Sequence, residues 1–121
     1  MNTRRMNGDT LEVLNGDELI IALSEKMVDG VMHIAVSGEI RNEVAHEFED
    51  ELMAAFSVCS AVRLDLSKVT YIASFAMKAL LSVQQLIDDN DDASLVIAGI
   101  SPEVKEMFEA SGFMDILNIE G

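Results

Sequence analysis

The sequence predicts a single-domain α/β fold: a mixed, mostly parallel sheet with helices packed on it. Three observations carry that prediction. Some stretches alternate apolar and polar residues with the period of a strand, as Val62, Leu64 and Leu66 do with Arg63, Asp65 and Ser67. Others repeat apolar residues at helical spacing, as Ala76, Ala79, Leu80 and Val83 do. The two kinds of stretch follow one another in turn along 121 residues, half of them hydrophobic, which is the size of one domain with its own core.

Taken in order, residues 1–10 are polar and are expected to form a flexible N-terminus, with the folded domain spanning residues 11–121. Strand-like runs from Leu19 to Val28 and from Val31 to Ser37 flank Asp29-Gly30, a two-residue hairpin signal because both turn positions need positive φ. Gly38-Glu39-Ile40 ends the second strand. A helix is expected from about Asn42 to Phe56, with Val44, Phe48, Leu52, Ala55 and Phe56 on its inner face and carboxylates on the rest.

A strand over Val62 to Ser67 then leads through a short polar turn, Tyr71 and Ile72 to a helix from about Phe75 to Ile87. That helix should bury Ala76, Ala79, Leu80, Val83, Leu86 and Ile87. After the acidic loop Asp88 to Asp92, Leu95 to Ile100 is a short apolar strand. Ser101 and Pro102 are the N-cap and first turn of a third helix, with Val104, Met107 and Phe108 inside and Gly112 as its C-terminal cap. Phe113 to Ile119 adds a short strand or lies across the core. The order β-β-α-β-α-β-α implies right-handed crossovers and parallel pairing, with the first hairpin adding an antiparallel strand.

Charge narrows the function. Twenty-two acidic against eight basic side chains give a formal net charge of −14. Such a body repels nucleic-acid backbones and anionic lipid, so neither is an expected partner. It suits protein partners with basic surfaces, although acidity is also a common solubility device of bacterial proteins. Cys59 is the single cysteine, which excludes an intrachain disulfide and fits a cytoplasmic address. No apolar run approaches the roughly 20 residues of a membrane span, and MNTRRMNGDT does not read as a secretory signal.

Ser74 is the residue of most interest. It opens the second helix, where unpaired backbone N–H groups and the positive end of the dipole gather. That position suits an N-cap and equally suits a phosphate. Phe75, Lys78, Ser82 and Gln85 recur opposite the buried stripe, flanked by Met77 and Leu81, and make a candidate docking face because aromatic residues and Met are enriched in interface cores. Asp88, Asp89, Asp91 and Asp92 lack the spacing, turn glycine and closing glutamate of a calcium loop. His33 and His46 sit on different elements without cysteine support. No metal or cofactor is therefore expected. Ile72 and Ala76 occupy the positions where a hydrolase nucleophile elbow needs glycine, and no Gly-rich phosphate loop is present, so no catalytic residue is assigned and the chain is read as a non-enzyme.

Three blocks carry a family resemblance: MHIAVSGEIRNEVAHEFEDEL, VRLDLSKVTYIASFAMKALL and SLVIAGISPEVKEMFEASGFMDIL. In order and spacing they resemble the STAS domain of anti-sigma factor antagonists and of the cytoplasmic tails of sulfate transporters, over about Leu19 to Ile119. The resemblance implies a STAS-like fold and a protein that binds an anti-sigma factor, itself a serine kinase, and frees a sigma factor. It implies phosphorylation of the serine aligned with Ser74, and partner binding by the loop and helix that carry Ala73, Ser74, Phe75, Met77, Lys78 and Leu81. The chain departs from the family's Asp-Ser-Ser-Gly turn at Ala73, Phe75 and Ala76, and it carries Arg41-Asn42 where an aspartate is common. Those departures motivate two alternatives: a STAS scaffold or sensor module without a phosphoswitch, and a STAS module that binds a small nucleotide or lipid near the same loop. Oligomeric state is left open.

Overall fold

The computed structural model describes residues 2–89 and 92–120, so Asn90 and Asp91 of the acidic loop lie outside the described residues, and with them part of the reading of that loop. Six strands form one sheet in sequence order: β1 (Asn2–Asn7), β2 (Thr10–Asn15), β3 (Glu18–Val28), β4 (Val31–Ile40), β5 (Ala61–Ile72) and β6 (Ser94–Ile100). The first four are an antiparallel meander, and β4, β5 and β6 run parallel. A short 3₁₀ turn over Asn42–Val44 leads into α1 (Ala45–Val58), which joins β4 to β5. Helix α2 (Ser74–Asp88) joins β5 to β6, and α3 (Pro102–Ser111) follows β6. Helices α1 and α2 pack on each other, as two successive right-handed crossovers in the same direction require.

The core lies between these helices and the sheet. Phe48 and Leu52 of α1 and Leu80 of α2 meet Ile34, Leu64, Leu66 and Ile97 of the parallel strands, all fully buried. Asp29 and Gly30 have φ of 51° and 82°, the paired left-handed conformations that the hairpin between β3 and β4 demands. Ser101 caps α3 by accepting the Val104 N–H at 3.1 Å, and its hydroxyl donates to the Val69 carbonyl, which ties the helix start to β5. The C-terminal segment places Ile119 beside Ile97 as an isolated parallel bridge on the outer edge of β6 and buries Leu117.

Three expectations need correction. The N-terminal residues expected to be flexible include β1, which pairs along its length with β2, so two strands precede the first one anticipated. Polar β1 has no apolar alternation to announce it; it is an edge strand held by its backbone ladder and by Arg4 on Glu51 and Arg5 on Glu12. The turns Gly8-Asp9 and Gly16-Asp17 around LEVLN were the available signal.

Strands β4 and β5 also run further than their alternation suggested, to Ile40 and Ile72. Register shifts between Ala35 and Ser37, Gly38 and Glu39, and Leu64 and Asp65 break the period of two, leaving Leu66, Val69 and Ile72 buried at a spacing of three. Gly38 is required there. Its φ is 103°, and a Cβ would fall 2.2 Å from the Ile20 carbonyl oxygen. Finally, Leu86 is 54% exposed rather than buried, because it faces an open cleft between the last turns of α1 and α2 instead of a packed surface.

Candidate functional site

The site is built where β4 and β5 end side by side. Ile40 pairs with Ile72, and the Ala73 N–H donates to the Ile40 carbonyl at 2.8 Å. That bond holds Ala73 extended, with φ −77° and ψ 161°, so Ala73 is the N-cap of α2 and Ser74 is its first helical residue. The N-cap reading of Ser74 is thereby corrected: the cap residue has no side-chain acceptor. Asn42, from the turn after β4, stands in for one. Its Oδ1 accepts the Phe75 N–H at 3.4 Å. Ser74 is exposed on the first turn, at the positive end of the α2 dipole.

Around Ser74 the surface is part aromatic and part acidic. Phe75 is 58% exposed, and the Lys78 ammonium lies 5.5 Å from its ring centroid, within cation–π range. Lys78 is also one turn along from Ser74, at the i+4 spacing that lets two side chains meet. On the other side, Tyr71 lines a shallow hollow of about 560 Å³ with Glu39, Arg41, Asn42 and Glu43. The Arg41 guanidinium is held by three carboxylates, Glu39 at 2.8 Å, Glu18 at 3.1 Å and Glu43 at 3.3 Å. They push its already high pKa further up, while Arg41 in turn holds the Glu18 carboxyl below the ordinary carboxylate range.

Of the six residues assigned to partner binding, Ser74, Phe75 and Lys78 are exposed on the first turns of α2. Met77 and Leu81 are half-buried, with Met77 packed on the core. Ala73 is 1% exposed, so its side chain has nothing to offer a partner and its part in the site is to fix the start of α2. Sequence reasoning did not assign Asn42, Tyr71 or the Glu18–Arg41 contact to the site. Glu18 arrives from a strand far away in sequence, and no local pattern announces it. Among the described residues no cluster of His, Cys, Asp and Glu side chains could hold a metal ion, and no helix is long and apolar enough to cross a membrane.

Comparisons with known proteins bear on the fold that carries this site. A search of curated protein sequences gave no match. Among solved structures, the chain is similar to an anti-sigma factor antagonist from Mycobacterium paratuberculosis, at 22% identity and a TM-score of 0.73, with 82% of this chain and 84% of that one covered. It is similar to the unphosphorylated form of the anti-sigma factor antagonist SpoIIAA, at 14% identity and a TM-score of 0.67 over 82% and 88% of the two chains. The phosphorylated form of SpoIIAA, the Bacillus cell fate determinant, aligns at 13% identity and a TM-score of 0.62 over 82% and 91%. At these identities the likeness is one of fold. The family model for the STAS domain matches residues 22–121, leaving only β1, β2 and the start of β3 outside it, and the chain therefore belongs to the STAS domain family.

Proposed function

We propose that this protein is an anti-sigma factor antagonist of the bacterial cytoplasm. It binds an anti-sigma factor through the exposed start of α2, and phosphorylation of Ser74 by that partner, a serine kinase, ends the complex. The observation that carries this reading is the placement of Ser74: an exposed hydroxyl on the first residue of α2, beside the exposed ring of Phe75. SpoIIAA, which shares the fold, is described in both phosphorylated and unphosphorylated forms, which supports a phosphoswitch on this scaffold.

The energetics are adequate for a switch. A phosphoserine at a helix N-terminus is favoured by about 0.3–1 kcal/mol, so the modified chain stays folded. Burying the new dianion against an apolar partner surface without a matching cation costs about 3–5 kcal/mol. That corresponds to a loss of affinity of roughly 100- to 4000-fold. Lys78 is the cation best placed to receive the phosphate, and doing so would draw it away from the Phe75 ring.

The test is to incubate the protein with the serine kinases encoded beside its gene and ATP, map the modified residue by mass spectrometry, and measure partner affinity before and after. Modification at a residue other than Ser74, or unchanged affinity, sinks the proposal. A second reading, a STAS scaffold or sensor module without a switch, is favoured by Ala73 and Phe75, which replace polar residues of the family's turn with a buried methyl and an exposed ring. Ser74→Ala separates the two, since a scaffold keeps its regulation in cells when the hydroxyl is removed.

A further inference from the structure

The far end of the α1–α2 pair holds a second surface that the Ser74 reading does not use. The last turns of the two helices part and leave a cleft of about 500 Å³ lined by the apolar Met53, Phe56, Val58, Leu86 and Ile87 and by the polar Ser57 and Ser60 among others, with no charged side chain among the described residues of its walls. Its lip is apolar and open. Met53, Val58 and Leu86 are 42%, 69% and 54% exposed, three large apolar side chains at one mouth. Met53 and Val58 come from α1 and Leu86 from α2, so the helix pair presents them as one ridge-lined groove.

The charge around the groove is one-sided. Both α1 and α2 end here, and neither has a basic residue in its last turn. Each helix therefore presents the negative end of its dipole, roughly half a charge, without the cation that usually accompanies it. Helix α2 finishes instead on Asp88 and Asp89, directly after Ile87 of the cleft wall. An apolar groove beneath a negative rim is complementary to an apolar ridge with cations beside it.

We propose that this groove is a docking site for a basic amphipathic helix of a partner protein, with Leu- or Met-like anchors one turn apart in the cleft and Lys or Arg side chains on the acidic rim. The charges choose this occupant over the others. A second copy would bring the same acidic rim and a net charge of −14 against itself across a two-fold contact. An anionic lipid surface meets the same repulsion. At 1.5 Å per residue, the length of α2 puts the groove about 20 Å from Ser74, so one chain can hold both partners. The inference is independent of the Ser74 reading.

The experiment uses the whole, isotope-labelled chain and a synthetic peptide of about four helical turns, with leucines at i, i+3, i+4 and i+7 and lysines beside them. Saturable binding is expected, with amide shifts concentrated in residues 53–60 and 83–89. Affinity should fall at least tenfold in Met53→Ala/Leu86→Ala and several-fold in Asp88→Asn/Asp89→Asn. Phe75→Ala should leave it unchanged. Both groove variants replace exposed side chains, and their thermal midpoints confirm folding. Equal binding of a peptide with glutamates in place of the lysines overturns the proposal, as do shifts centred on Ser74 or scattered over the surface. Concentration-dependent dimerisation abolished by Leu86→Ala would assign the groove to a second copy and overturn it too. So would amide shifts in the groove with decanoate when the peptide produces none, which would assign it to a small apolar ligand.

Discussion

The two ends of α2 are exposed in opposite ways. At its start, Ser74 and Phe75 face solvent over a helix end whose cap is borrowed from Asn42, a neutral side chain on another element. At its finish, Leu86 faces solvent beside Asp88 and Asp89, with no basic residue in the last turn. The first end has a positive dipole with an acceptor hydroxyl, and a phosphate fits it. The second has a negative dipole reinforced by carboxylates, and a cation fits it. One amphipathic helix thus presents two chemically distinct apolar surfaces. What distinguishes them is the direction of its peptide dipoles and the charges on the neighbouring turns, since the apolar content of the two ends is similar.

The largest expected effect separates the ends directly. Phosphorylation of Ser74 should weaken anti-sigma factor binding by about 3–5 kcal/mol, measured by titration calorimetry, while Leu86→Ala leaves that affinity unchanged. A loss of less than threefold on phosphorylation would break the contrast. Gly38→Ala should damage the whole frame on which the Ser74 end is mounted. The clash with Ile20 and the positive φ together are expected to cost about 3 kcal/mol of folding stability, read from denaturant unfolding. Phe75→Ala should cost about 2 kcal/mol of partner binding with no change in thermal midpoint, because the ring is exposed in the free protein.

Smaller effects sharpen the picture. Asn42→Ala removes the surrogate cap, and a loss of up to about 1 kcal/mol is expected in chemical unfolding. Away from both ends, burial and the neighbouring Glu51 carboxyl push the Glu25 carboxyl above its ordinary range. Its neutral form is favoured in the folded state, so its contribution to stability is full below the unfolded carboxyl value and is lost as pH rises through the folded one. Glu25→Gln should therefore gain stability relative to the parent at pH 7 and lose that advantage near pH 4. Thermal melts across that range check the sign; an advantage that grew on acidification would show the assignment to be wrong.

Much of the fold was legible because its signals are local. The Asp29-Gly30 turn, the Ser101-Pro102 helix start, the Gly112 cap and the strand period through Leu64 all lie within a few residues of what they specify. Legibility failed where contacts over long distances decide. The β1–β2 hairpin is polar on its outer strand and is held by partners on β2 and α1. The second half of β5 lost its period to a bulge. Leu86 fits the buried stripe of α2 by spacing but faces the open cleft between the last turns of α1 and α2.

The candidate site divides in the same way. Helical spacing and family resemblance single out Ser74, Phe75 and Lys78, which are exposed on the first turns of α2, whereas the burial of Ala73, the Asn42 cap and the Glu18 contact to Arg41 have no local signal.

The order of strands and helices from β3 onward, the turn of the β3–β4 hairpin and the position of a serine at the head of α2 follow from the sequence by itself, because backbone propensity, turn chemistry and hydrophobic period act over a few neighbouring residues. Tertiary structure decided which residue caps that helix, which end of it meets which charge, and how much of Leu86 stays in water. Those outcomes depend on where separate elements stop relative to one another, and that distance is set by the packing of the core.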